Sequence, residues 1–369
     1  MKELTKQDIE DLLIGAKIMG TGGGGETEWA RPLIQEVYEN RKKFRLVDPN
    51  EIPDSERVVI VSRIGGGITK EEAKKVENLP KIKENVELLA FKLLSKYIGQ
   101  DPYAVLPTEL GAGNTLAAMC SAAMLDKPAV DADCTARAKP EIPISTTNVS
   151  GVPVTPACLV TPFGDVLYLD RALSDVRAEQ ILRAVAAASG GMCGMCRCPM
   201  EASTMRKAVA QNTVSMCIEI GKGIRESTKA GKNPVDAILK IVNGLRFFEG
   251  KVSSFERKEY GGFMWGEFNI SGTGSYSNHS LKVWYKNEHL ISWLDRKPYV
   301  ACPDSICVVD AGTGVGLSNW GTDFSTGRQV VVFGVKAHPL FRTKRGLELF
   351  TPKYFGYDIK YAPIEQLVK

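Results

Sequence analysis

Residues 108–141 read TELGAGNTLAAMCSAAMLDKPAVDADCTARAKPE. Tyr103–Pro107, just before, is a short apolar run with strand character. Thr115–Met124 is built of small residues and reads as a closely packed helix, and Pro128–Val130 reads as the next strand. Strand, loop, helix and strand in that order form one unit of a parallel α/β layer. Ligands in such layers bind beyond the carboxyl ends of the strands. Here those ends carry Glu109 with Asn114, and Asp131 with Asp133. The following loop adds Cys134, Arg137 and Glu141. A helix cap or a loop charge accounts for any one of these acids alone, but less well for the set.

Towards the N-terminus, Arg57–Ser62 is a further buried strand by its β-branched run. It ends in Arg63 and the glycines Gly65–Gly67, and Thr69 with Glu72 opens another helix. Lys83–Tyr97 is helical. Thr5 with Asp8 three residues on marks the start of the first helix, and Ile9, Leu12, Leu13, Ala16 and Met19 follow at helical spacing. Gly20, Gly22 and Gly25 spell G-x-G-x-x-G, but a helix precedes the loop where a dinucleotide fingerprint requires a strand. No nucleotide cofactor is therefore expected. Gly22, Gly23, Gly24 and Gly25 remain open between a flexible helix–helix turn and a loop whose amides receive a ligand oxygen. A second helix is expected near Glu28–Tyr38.

Towards the C-terminus, Val154–Val160 and Val166–Leu169 read as a strand pair. The domain boundary is placed there: an α/β domain over 1–168, then an α+β domain rich in antiparallel strands over 169–369. Ser174–Ser189 is a helix, and Glu201–Gln211 and Thr213–Ser227 are expected to be helical. From Phe247 onward strands dominate, punctuated at Gly261-Gly262, Gly272–Gly274 and Asn287-Glu288. Between the halves, Cys193, Cys196 and Cys198 form C-x-x-C-x-C. A structural zinc site normally needs four ligands, so these three thiols suit either a divalent metal such as zinc, completed from afar, or small buried core residues.

The chain has 369 residues, long enough for two cores. Its formal net charge of +4 is too small at this length to indicate a nucleic-acid partner. The polar N-terminus lacks a secretory apolar segment, and no apolar run reaches a membrane span. Nine cysteines, an odd number, fit a reducing compartment, so a cytoplasmic location is expected. A homo-oligomer is expected because most soluble oligomers are symmetric homomers. His279, His289 and His338 share no metal-ligand spacing, and no G-x-S-x-G elbow occurs.

Hydrolysis of a cyclic amide or amidine needs a base for water, a proton donor for the leaving atom, and donors for the developing anion. Asp131, Asp133, Glu109 and Glu141 suit the first two roles, or hold a divalent metal by oxygen ligation. Asn114, Arg137 and the glycine-loop amides suit the third. Cys134 is a candidate nucleophile if Arg137 lies beside it.

These stretches resemble the DUF917 family, named after S-methyl thiohydantoin desulfurase and described as hydantoinase-like. The matching segments are Ala16–Gly25, Glu109–Asn114, Pro128–Glu141, Phe248–Val252, Asn287-Glu288, Pro303-Asp304 and Phe355–Asp358, spread over nearly the whole chain. Where members carry Gly-Met-Gly-Arg after the Asp-Ala-Asp, this chain reads Cys134-Thr135-Ala136-Arg137. The resemblance implies a two-domain hydrolase of a hydantoin-like ring, converting S-methyl thiohydantoin to hydantoin and methanethiol. The alternative is an accessory or ligand-binding subunit beside a hydantoinase/oxoprolinase-type partner, or a metal- or thiol-dependent enzyme acting on a related small molecule.

Overall fold

The computed structural model describes residues 1–368. They are organised around two large sheets. The first has eight strands, ordered Lys2–Glu3, Arg45–Val47, Ala129–Val130, Ala104–Pro107, Arg57–Gly65, Met192–Glu201, Ala157–Val160 and Val166–Leu169. Arg57–Gly65, Ala104–Pro107, Ala129–Val130 and Arg45–Val47 run parallel. The two central ones are apolar and mostly buried on both faces, as strands covered by helices on each side must be. The expected hairpin forms between Ala157–Val160 and Val166–Leu169.

Met192–Glu201 lies antiparallel between Arg57–Gly65 and Ala157–Val160. A strand from beyond residue 168 thus completes the first sheet, and the two halves of the sequence share one layer. The cysteine run is the middle of this strand. Cys193, Cys196 and Cys198 are buried in three separate apolar clusters, so the structure does not bring the three thiols together as ligands of one metal.

The first helix, Lys6–Met19, opens on the expected reciprocal cap between Thr5 and Asp8. It crosses the helix Thr213–Lys229 at glycines. A Cβ on Gly15 would stand 1.9 Å from the Cys217 carbonyl oxygen, and one on Gly221 2.0 Å from that of Asp11. Gly221 therefore weakens its own helix in order to let the two backbones touch. Arg225 fastens the crossing, donating to Asp11 at 3.0 and 2.8 Å.

The second sheet has seven antiparallel strands, ordered Lys297–Ala301, Glu288–Leu294, Ser280–Lys286, Phe263–Gly272, Leu245–Tyr260, Gln329–Val335 and Ser305–Asp310. Gly261 and Gly262 make one expected turn, both at positive φ. Asn287, at φ 58°, makes another, and its side chain accepts from the Met264 amide at 2.8 Å. That bond fixes the turn from which Glu288 projects towards the first sheet. Among the described residues no helix is long and apolar enough to cross a membrane.

Candidate active site

A cavity of about 250 Å³ opens where the strands Arg57–Gly65 and Ala104–Pro107 end and the Asn287-Glu288 turn meets them. Met192 and Met195 form part of its wall. Trp29 and Trp320, packed edge to face at 5.4 Å, form another.

Glu109 follows directly on its strand and is buried. Its carboxylate accepts from Asn114 Nδ2 at 2.6 Å and from the Lys139 backbone amide at 3.0 Å. Asn114 in turn accepts from the Arg63 amide at 2.8 Å. Asn114 therefore ties two strand ends together and aims Glu109. Burial raises the Glu109 pKa above the ordinary carboxylate range, against the pull of Lys139. Glu288, on the opposite wall, is pushed well above its usual value by burial and then by the negative charge of Glu109. A carboxyl in that position holds its proton far more firmly than one in water.

Two buried cations line the same cavity. Arg197 donates to Thr108 Oγ1 at 2.8 Å, but its Nε has no partner. Lys139 Nζ has none either. Burial lowers the Lys139 pKa, and the positive charge of Arg197 lowers it further. Glu288 Oε2 and Ser62 Oγ complete a set of four unpartnered buried polar atoms on residues that line the cavity. Native interiors leave few such atoms, so four around one cavity mark it as built to receive a polar ligand. Glu141 also lines the wall, but its two oxygens are taken by Lys286 and by Tyr354 at 2.7 Å.

The other expected site residues lie elsewhere. Asp131 caps the helix Thr213–Lys229, accepting from the Ser215 amide at 2.8 Å. Asp133 closes a turn, accepting from the Thr135 and Ala136 amides at 2.8 and 2.9 Å. Burial pushes its pKa up to about 7 despite those bonds. Cys134 sits in an apolar cluster with Ile60 and Leu106, where burial raises its thiol to about 11, the reverse of what a nucleophile needs. Arg137 is wholly enclosed. It donates to the carbonyls of Ala138, Asp304 and His289 and to Thr21 Oγ1, at 2.8–3.0 Å. It joins the glycine loop to the second sheet and does not reach the cavity. Removing the Asp131 cap is expected to cost about 1 kcal/mol and to leave ligand affinity in the cavity unchanged. Scanning calorimetry and titration of Asp131→Ala check both.

The glycine loop is a packing device. Gly24 O accepts from the Gly113 and Asn114 amides at 3.1 and 3.0 Å, so the loop itself caps the helix Ala112–Met124. A Cβ on Gly111 would stand 2.4 Å from Gly24 Cα. One on Gly22 would meet His289 Nε2 at 2.4 Å, and one on Gly23 would meet Glu288 Oε1 at 2.1 Å. Gly24 and Gly25 reach the cavity wall; Gly22 and Gly23 support Glu288 and His289 from behind.

Sequence reasoning passed over Lys139, Arg197 and Glu288. Arg197 carried a usable signal, because a charge inside an apolar strand must find a partner. The cysteines around it hold attention instead, as either metal ligands or core thiols. Among the described residues no group of three or more His, Cys, Asp and Glu side chains is arranged to hold a metal ion.

Residues 7–171 match the family described as S-Me-THD-like, N-terminal domain. Residues 173–364 match S-Me-THD-like, C-terminal domain. The chain is similar to a protein from Chromobacterium violaceum solved by X-ray crystallography, with 26% identity and a TM-score of 0.78, over 99% of this chain and 100% of that one. No curated protein matches.

Proposed function

This chain belongs to the S-Me-THD-like family, and on that premise we propose that its cavity hydrolyses a hydantoin-like ring at the carbon between the two nitrogens. One observation carries the reading: two buried carboxyls, Glu109 and Glu288, and two buried cations, Lys139 and Arg197, line one cavity together. The cavity, about 250 Å³, lies just below the ~300–1,000 Å³ range of ligand sites, which suits a single five-membered ring.

With S-methyl thiohydantoin as substrate, Glu109 accepts a proton from water as its oxygen bonds to the ring carbon. The tetrahedral centre places negative charge on the ring nitrogens, and Lys139 and Arg197 stabilise it. The carbon–sulfur bond then breaks, and the Glu288 proton goes to sulfur. Hydantoin and methanethiol leave, and the proton taken up by Glu109 restores Glu288. The two acids thus divide base and acid roles between environments that differ in hydrogen bonding. Glu109 accepts two hydrogen bonds that favour its carboxylate form, whereas Glu288 has an oxygen without a donor and a like-charged neighbour.

The test follows the ultraviolet absorbance of S-methyl thiohydantoin together with released thiol, for the wild type and Glu109→Gln. Loss of chromophore with equimolar thiol, slowed by roughly 10²–10⁴-fold in the variant, is the expected result. Turnover that survives Glu109→Gln would remove the assigned base. Ligand binding without turnover in the wild type would favour an accessory role.

A further inference from the structure

The two large sheets have four open ends, and three of them are protected. Lys2–Glu3 is two residues long and charged. Lys297–Ala301 begins with Lys297 and Pro298. Ser305–Asp310 is buried along nearly its whole length, and Leu317 donates to its Val308 carbonyl at 2.9 Å. Short charged strands, Lys and Pro, and covering loops are the usual ways to blunt an edge. The fourth end, Val166–Leu169, reads Val-Leu-Tyr-Leu and has none of these. It pairs with Ala157–Val160 on one side and with no strand of the described residues on the other.

Exposed apolar side chains gather at this edge. Among the described residues nine large hydrophobic side chains are exposed, and Tyr97, Val166, Tyr168, Leu173 and Val176 are five of them. Leu173 is 95% exposed. Tyr97 stacks on Tyr168 at 5.0 Å, and its hydroxyl donates to Asp170 at 2.8 Å. An apolar strand edge beside exposed rings is a template for another strand.

The geometry selects a second copy of this chain. Thr161 donates to the Asp165 carbonyl at 3.0 Å. The alternation of an antiparallel pair then turns the backbone groups of Leu167 and Leu169 inward, and those of Val166, Tyr168 and Asp170 outward. Two copies related by a two-fold axis match these outward groups when Tyr168 lies opposite its own equivalent. Val166 then meets the partner's Asp170, and Asp165 meets the partner's Arg171, at both ends of the seam. Asp165 and Arg171 are exposed, and neither forms an ion pair among the described residues. A register shifted by one residue would set Asp165 against the partner's Asp170 and bring inward-turned backbone to the seam. Opposite charges across a strand pair stabilise it, and like charges oppose it.

We propose that Val166–Leu169 is a dimerisation edge. Two chains join antiparallel through it, centred on Tyr168, and their eight-stranded sheets become one continuous sheet.

Sedimentation of the full-length chain over a hundred-fold concentration range, up to about 200 µM, tests this by mass action. The mass should rise from 40.3 kDa towards twice that value. The dissociation constant should be on the order of micromolar, as suits a seam at the small end of interface sizes. Asp165→Arg and Arg171→Asp each set like charges against each other at both ends, and each should weaken the dimer on the order of ten-fold. An equimolar mixture of the two variants restores opposite charges at both ends and should dimerise to within about three-fold of the wild type. Tyr168→Lys sets two cations together at the centre and should stay monomeric; thermal melts show that each variant is folded. If one charge variant does not fold, the other and Tyr168→Lys decide the outcome. A wild type that remains at 40.3 kDa throughout overturns the proposal. So does a dimer that these substitutions leave unchanged, which would place the contact on another face. A mixture no tighter than either variant alone would remove the two-fold seam centred on Tyr168.

Discussion

Glu288→Gln is expected to slow ring hydrolysis by roughly 10²–10⁴-fold and to flatten the alkaline limb of the rate profile. The variant keeps the size and polarity of the side chain but has no proton to give the leaving sulfur. In the wild type the rate falls as pH rises through the Glu288 pKa, which burial and the charge of Glu109 hold well above the ordinary range. Stability carries the same signature. An unfolded glutamate releases its proton near ~4.3, whereas folded Glu288 keeps it to higher pH. Between those two values the folded chain binds more protons than the unfolded one, so stability falls as pH rises. Glu288→Gln removes that contribution, and its melting temperature should decline less from pH 5 to pH 8 than that of the wild type. Rate profiles and thermal melts across this range check both effects. An unchanged alkaline limb would assign the proton to another group.

What could be read from sequence, and what could not, follows from how each residue is held. The unit around Glu109 was legible because strand and helix periodicity are local, and the carboxyl end of a strand is a place where ligands bind. Asp131 and Asp133 sit beside a strand end too, but an aspartate next to a helix start or a tight turn finds backbone amides first. In the structure Asp133 is held by its own turn, and Asp131 by the Ser215 amide of a helix far along the chain. Cys134 and Arg137 share one explanation: each is surrounded by its own protein, the thiol by aliphatic side chains and the guanidinium by carbonyls. The glycines are needed for contacts with residues far away in sequence, Gly111, Glu288 and His289, and no local pattern reveals such partners. Glu288 enters from the second sheet, and Arg197 arrives on a strand inserted into the first from beyond residue 168. The half of the site that was missed is the half that depends on tertiary contacts.

Lys139→Met should produce a protein that melts higher and works worse. The wild-type amine is buried, has no hydrogen-bond partner and has a second cation nearby, so the fold bears its desolvation with no hydrogen bond to offset it. A methionine of similar length replaces it with apolar surface, and a gain on the order of 1–3 kcal/mol is expected. The gain depends on pH in a defined direction. The Lys139 pKa is depressed on folding, so between that value and lysine's usual ~10.4 the unfolded chain binds more protons and wild-type stability rises with pH. The advantage of the variant should therefore be greatest at low pH and shrink as the wild-type amine becomes neutral. Turnover should fall by about 10²–10³-fold, because charge developing on the ring loses a preorganised donor. Stability gained and activity lost in one substitution is the pattern of a residue kept for its chemistry. Melting below the wild type would instead mean that the fold itself needs the amine, and turnover at the wild-type rate would leave Arg197 alone facing the developing charge.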